Sequence, residues 1–187
     1  MPDLDVLVVG AGPAGAIAAW QAKAAAPELD VALLERDRAV GSPVRCAEGV
    51  GDAGLREFAN PDGADWAARK ITRVIFLAPD DTEVKVAERD VGWVLDRTRF
   101  DAHLAAQAAA AGAAVLVGTE ATGMTRAVDG RWHVRVKQRG VEDIYRARVV
   151  IAADGVEAMV GRWAGIDTRV PARDMESDRK SVGRERV

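Results

Sequence analysis

Residues 4–15 read Leu-Asp-Val-Leu-Val-Val-Gly-Ala-Gly-Pro-Ala-Gly, a short apolar run followed by glycines at 10, 12 and 15. The run is rich in β-branched residues and predicts a buried parallel strand over Leu4 to Val9. Ala14 to Ala26 is dominated by alanine and predicts a helix, which Pro27 stops. Val31 to Leu34 predicts a second buried strand, ending at Glu35. Together they form a βαβ unit, which places the chain in the α/β class with a Rossmann-like parallel sheet. In such a turn Gly10 makes the tight bend, Gly12 lets a pyrophosphate approach the backbone, and Gly15 lets helix and strand pack closely. The helix start at Pro13 and Ala14 presents its free backbone N–H groups to the anion, proline itself contributing none. Glu35 lies about 20 residues past the last glycine, where its carboxylate accepts hydrogen bonds from ribose hydroxyls. That acid favours a free 2′-hydroxyl, against NADP at this site. The loop alone leaves NAD and FAD both open.

The downstream arrangement decides between them. Residues 36–61 read as a loop rich in glycine, with a short helix around Ala53 to Ala59. Ile71 to Ala78 and Thr82 to Ala87 flank the turn Pro79-Asp80-Asp81 and predict an antiparallel hairpin. Asp96 is the expected N-cap of a helix from Arg97 to Ala111, ended by Gly112. A third buried strand follows at Ala114 to Gly118. Three meander strands are expected next: Thr122 to Val128, Trp132 to Lys137, and one from Asp143 onward, with Asp129-Gly130 as the first turn. Arg148 to Ala152 reads as a separate last buried strand, followed by Asp154-Gly155 and a short helix through Trp163. An NAD dehydrogenase domain needs neither the long insertion nor the meander, so the cofactor expected is FAD. The domain division expected is a FAD-binding domain over 1–170, with 71–95 as inserted strands of an incomplete antiparallel substrate-domain sheet. Residues 171–187 are expected to be a disordered or non-native tail. Asp-Arg-Lys-Ser-Val at 178–182 is what the start of a common sequencing adapter encodes in frame.

Composition excludes other classes. The 187 residues are 49% hydrophobic and 29% charged, with a formal charge of −3, which argues against a nucleic-acid binder. The single cysteine, Cys46, excludes an intramolecular disulfide framework. Only two histidines occur, far apart, so no metal site is expected. The first strand begins almost at residue 1 and no apolar run is long enough for a membrane span, so a cytoplasmic chain is expected.

At Gly41-Ser42-Pro43-Val44-Arg45-Cys46-Ala47-Glu48-Gly49 the chain resembles the geranylgeranyl reductase family of flavoproteins. Leu95-Asp96-Arg97-Thr98-Arg99-Phe100-Asp101-Ala102-His103-Leu104-Ala105 looks like that family's helix start. Ile151-Ala152-Ala153-Asp154-Gly155 and Val160-Gly161-Arg162-Trp163-Ala164-Gly165 are shared more widely, with flavin monooxygenases of the hydroxybenzoate hydroxylase type. The resemblance covers residues 3 to about 170. It implies FAD across the first loop, with Ala14 and Gly15 at the pyrophosphate and Glu35 at the adenosine ribose; Arg36 is also expected to bind the cofactor. Cys46, Ala47 and Gly49 would lie at the flavin, Arg97 near the phosphates, and Ala121 near the adenine. It also implies reduction of isoprenoid C=C bonds in lipids, with NAD(P)H or a ferredoxin-like protein as electron donor and transient contact with the membrane surface. Family members continue past this point with a second glycine-aspartate segment and the rest of a substrate-binding sheet. None of these follows Gly165, so the resemblance implies an N-terminal fragment.

Several residues keep two readings. Arg97 either forks onto phosphate oxygens or is a solvated charge in the first turn of a helix. Arg45 either neutralises the cofactor or is a surface arginine. Cys46 is either a small apolar filler near the flavin or, with Arg45 favouring its thiolate, a catalytic proton donor or redox gate. Asp154-Gly155 either touches the cofactor region or only ends a strand. Two alternatives to the reductase also stand: a flavin-dependent aromatic hydroxylase, and a truncated dinucleotide-binding module without catalysis.

Overall fold

The computed structural model describes residues 2–44 and 48–171. In chain order it runs β1 (Asp3–Val9), α1 (Pro13–Ala25), β2 (Val31–Glu35), β3 (Gly49–Gly51) and α2 (Asp52–Arg56). Then come β4 (Ala67–Leu77), β5 (Glu83–Leu95), α3 (Arg97–Ala110) and β6 (Ala114–Val117). The chain continues with β7 (Thr119–Arg126), β8 (Trp132–Gln138), β9 (Val141–Ala152), a 3-10 turn (Gly155–Glu157) and α4 (Met159–Trp163).

The main sheet has the order β6-β2-β1-β9-β8-β7. Its first four strands are parallel, as an α/β fold requires, and β8 and β7 are added antiparallel at one side. β1 is central: Val8 faces Leu33 of β2 on one flank and Ile151 of β9 on the other. A strand in that position is covered on both faces, which is why its residues are apolar without alternation. On one face Val6, Val8, Val31 and Leu33 pack with Ala16 and Ala19 of α1 and Leu104 and Ala108 of α3. On the other, Leu7, Val9 and Leu34 cluster with Met124, Val134, Val136 and Val160. Leu7, Leu33 and Leu34 are fully buried, each contributing about 1.5–3 kcal/mol.

α1 can approach β1 closely because its contact residues are small. A Cβ on Gly15 would collide with the carbonyl oxygen of Gly10. Asp96 caps α3 as expected, its carboxylate accepting from the Arg99 N–H at 3.2 Å. Asp96→Ala is therefore expected to cost about 1 kcal/mol, read as a lowered Tm in a thermal melt.

The region beyond β8 differs from the sequence reading. A third meander strand and a separate last buried strand were expected; a single strand, β9, takes both places. Its first half, Val141 to Ala147, pairs antiparallel with β8, and its second half, from Arg146, pairs parallel with β1. No glycine or proline interrupts 141–152, so one strand can change partner without breaking. The hairpin is also longer than expected, over β4 and β5, and β3 adds to it in a second sheet of order β3-β5-β4. Gly92 permits that pairing, since a Cβ there would collide with the Val50 carbonyl oxygen. Buried Asp52 fastens α2 to β5, accepting from the Trp93 indole N–H and from Arg56, each at 2.7 Å. The Arg56 guanidinium, with Trp93 second, holds the Asp52 carboxyl below the usual carboxylate range. The tail over 172–187 lies outside the described residues.

Candidate functional site

The site is assembled at the carboxyl ends of β1, β2 and β9, where ligands bind in open α/β sheets. β1 ends at Val9, and Gly10 turns the chain with φ +100° directly against the backbone of Ala153 and Asp154. No side chain fits there, so this glycine is demanded by both conformation and contact. Gly12 is the N-cap of α1, with Pro13 at the first helical position and no side-chain cap. The orphan N–H groups of that turn are therefore left to solvent or to a ligand.

Gly12 differs from Gly10 and Gly15 in kind. Its φ of −66° suits any residue, and among the described residues no atom outside its chain neighbours lies within 4 Å of a Cβ placed on it. Neither backbone strain nor packing explains a glycine here. What a Cβ would fill is the wall of a cavity of about 740 Å³. That volume is in the range of cofactor sites, roughly 300–1,000 Å³.

Glu35 forms the next part of the wall. One carboxylate oxygen accepts from the Ala11 N–H at 3.1 Å and the other from the Asp37 N–H at 2.9 Å. The acid at the end of β2 is thus tied to the glycine loop itself, oriented by two backbone donors. The segment from Ala39 to Val44 makes an edge of the cavity. Gly41, at φ +78°, sits so close to the backbone of Arg97 and Thr98 that a Cβ would come within 2.9 Å. That contact seats the segment on the start of α3.

Arg97 lines the cavity, and its guanidinium forks onto Asp101 one turn later, at 2.8 and 2.9 Å. Both side chains are mostly buried, 12% and 9% exposed. Ala121 on β7 and Asp154 after β9 also line it, and Asp154 accepts from the Val160 N–H at 3.0 Å. Arg36 pairs with Glu157 through two bonds of 2.7 and 3.0 Å. Glu157 raises the Arg36 pKa, and Arg36 holds Glu157 below the usual carboxylate range.

The structure therefore gathers Gly10, Gly12, Glu35, Arg36, Arg97, Ala121 and Asp154 around one cavity. Pro13, Ala14 and Gly15 form the first turn of α1 behind it, with Gly15 packed on Gly10 and Ala153. Gly49 pairs with Val94 in the second sheet and is not part of this wall. Arg45, Cys46 and Ala47 lie outside the described residues. Sequence reasoning missed Asp101 and Glu157. The i,i+4 spacing of Arg97 and Asp101 on one helix was a signal for the first. Glu157 had none, lying 121 residues from its partner. His103 packs its ring 5.7 Å from that of Trp66. Among the described residues no group of three His, Cys, Asp or Glu is placed to hold a metal ion.

Residues 3–185 match the FAD binding domain family. The chain belongs to that family. FAD is its cofactor, and the residues present fit it: an open cradle at Gly12, uncapped N–H groups beside it and an oriented carboxylate at Glu35. A digeranylgeranylglycerophospholipid reductase from Methanocella arvoryzae is 48% identical over 180 residues, covering 94% of this chain and 45% of that protein. A protein of the same name from Methanosarcina mazei is 46% identical over 177 residues, covering 92% and 43%. Among solved structures, a geranylgeranyl bacteriochlorophyll reductase-like protein from Thermoplasma acidophilum superposes with a TM-score of 0.80 at 37% identity, covering 92% of this chain and 44% of its own. The p-nitrophenol 4-monooxygenase of Pseudomonas putida, at 19% identity and a TM-score of 0.69 over 88% and 44%, shares the fold alone. This FAD binding domain chain spans less than half the length of the curated relatives it matches. Among the described residues no helix is long and apolar enough to cross a membrane.

Proposed function

We propose that this chain is the FAD-holding part of a flavin-dependent oxidoreductase that saturates C=C bonds in the isoprenoid chains of lipids. The observation that carries the FAD reading is the cradle at Gly12, a glycine that no contact or backbone strain among the described residues requires. The reductase reading is supported by the 48% identity to the Methanocella arvoryzae protein and by the family phrase at 41–49.

Bound and reduced, FAD supplies hydride chemistry that no side chain offers. The chain's own part is to bind and orient it. The α1 N-terminus offers the N–H groups of Gly12 and Ala14 to the pyrophosphate, Pro13 between them having none, with Gly10 and Gly15 letting helix and loop close up behind. Glu35, held by Ala11 and Asp37, accepts from ribose hydroxyls. Arg97, oriented by Asp101, directs positive charge into the cavity near the phosphates. Ala121 and Asp154 form the opposite wall. Arg45, Cys46 and Ala47 complete the flavin side in this reading, with Cys46 as the candidate for proton donation.

The second sheet is the start of the substrate side. Ile75, Phe76, Leu77 and Val84 at the far end of β4 and β5 are all about half exposed or more, a surface suited to apolar cover. NAD(P)H or a ferredoxin-like protein would supply electrons, and the lipid substrate brings the protein transiently to a membrane surface.

The test takes the purified chain, adds FAD, removes unbound cofactor and records the visible spectrum. A retained flavin band is the expected result; a colourless soluble protein overturns the FAD-holding assignment. The reductase assignment is tested by joining the chain to the remainder found in its relatives and supplying dithionite and a geranylgeranyl lipid. Gain of two hydrogens per double bond by mass spectrometry is expected. Oxygen-dependent hydroxylation of an aromatic compound instead would favour the hydroxylase.

A further inference from the structure

Arg36 and Glu157 occupy a particular place in the topology. Arg36 follows β2 and Glu157 follows β9, the two strands that flank β1. Their forked pair therefore joins one flank of β1 to the other, at the end where the glycine loop leaves the sheet. Both residues line the cavity.

The Glu157 side is braced before any ligand arrives. Arg162 donates to the Glu157 carbonyl at 2.9 Å, Thr168 donates to the Ala158 carbonyl at 3.0 Å, and Asp154 accepts from Val160. Ala158 is held in the left-handed region at φ +45°. The preceding Val156 also lines the cavity, yet it is 92% exposed. An apolar side chain carried on a braced turn at a cavity wall, and left uncovered by protein, suits cover by a bound group. The pair itself lies in partial contact with water, 36% and 51% exposed, where an ion pair adds little to folding. Arg36 also sits between Glu35 and Asp37 in sequence, so the fork on Glu157 gives its charge a direction.

We propose that Glu157 is a cofactor-positioning residue, clasping Arg36 so that the turn at 155–157 closes over the adenosine end of bound FAD and slows its release. The proposal rests on the FAD reading above and adds to it a residue that acts only through its partner.

The experiment is a double-mutant cycle on the full chain, with FAD release followed by the return of flavin fluorescence after dilution. Arg36→Ala and Glu157→Ala are each expected to speed release about 3–5-fold. The double variant is expected to match the larger single, because both remove one interaction. Raising the salt concentration is expected to speed release from the unsubstituted chain and to leave Glu157→Ala nearly unchanged. Arg36→Lys, which keeps the charge and loses the fork, is expected to fall between. Melting curves provide a second readout: the FAD-free Tm is expected to hold in Glu157→Ala while the rise on adding FAD shrinks.

Release from Glu157→Ala at the unsubstituted rate overturns the clasp and leaves Arg36 as a direct contact. Independent, multiplying effects in the double variant also overturn it, as does a loss of FAD-free Tm in Glu157→Ala that accounts for the whole change. Failure of the unsubstituted chain to hold FAD overturns the FAD reading, and the clasp with it.

Discussion

Gly12→Val is expected to abolish FAD binding while leaving the protein folded. Among the described residues the new side chain has no neighbour beyond its adjoining residues within 4 Å of its Cβ, and it needs no unusual backbone conformation, so folding loses little. It projects into the cavity at the α1 N-terminus, where the pyrophosphate must come against the backbone. The expected loss in affinity is at least about 100-fold, or ~2.8 kcal/mol at 1.4 kcal/mol per factor of ten. Titration by flavin fluorescence measures the first quantity and a melt of the FAD-free protein the second. Gly15→Ala is the contrasting control. Its single methyl meets the Gly10 carbonyl oxygen, and the helix must shift. An overpacking cost of about 3 kcal/mol is expected, a fall in Tm of about 6–12 °C for a chain of this size. A Gly12→Val protein that binds FAD normally would sink the assignment of the cradle. One that melts as early as Gly15→Ala would show that Gly12 serves packing.

Asp101→Ala is the substitution with the largest expected cost in stability away from the glycine loop. It removes the forked partner of a mostly buried guanidinium, and such removals cost about 3 kcal/mol or more. The melt should fall by about 6–12 °C without FAD. Asp101→Asn keeps the shape and one acceptor and should lose less, about 1–2 kcal/mol. Arg97 loses its orientation in both, so FAD affinity should drop even in Asp101→Asn, where the fold survives. Unchanged affinity in a well-folded Asp101→Asn would mean that Arg97 does not need Asp101 to serve the cofactor.

The glycine loop illustrates how far local reading reaches. Strand, turn, helix start and Glu35 are set by interactions between near neighbours, so their order in the chain revealed the βαβ unit and the class of ligand. The same reading gives each glycine its own part: the bend at Gly10, the open approach at Gly12 and the close packing at Gly15. The folded chain supplies the contacts behind those parts: Gly10 and Gly15 are closed in by Ala153 and by each other, while Gly12 has no atom of the described residues within 4 Å of an added Cβ. β9 was divided in two because its halves have different hydrophobic surroundings. The division is one of partners, β8 and then β1, and local pattern carries no record of which strand lies alongside.

The α/β class, the dinucleotide turn, the acid at the end of the second strand and the capped start of α3 are all legible in the order of the amino acids. These rest on backbone conformations and on spacings within a turn or two, which neighbouring residues dictate. The tertiary structure alone decided that Arg36 meets Glu157 and that the Gly41 turn seats on α3. It also decided that Arg97 faces a cavity with Asp101 holding its fork. Pairings across as many as 121 residues depend on the strand order that places β2 and β9 on either side of β1. That order is settled by how the whole core packs, and no short stretch of the chain encodes it.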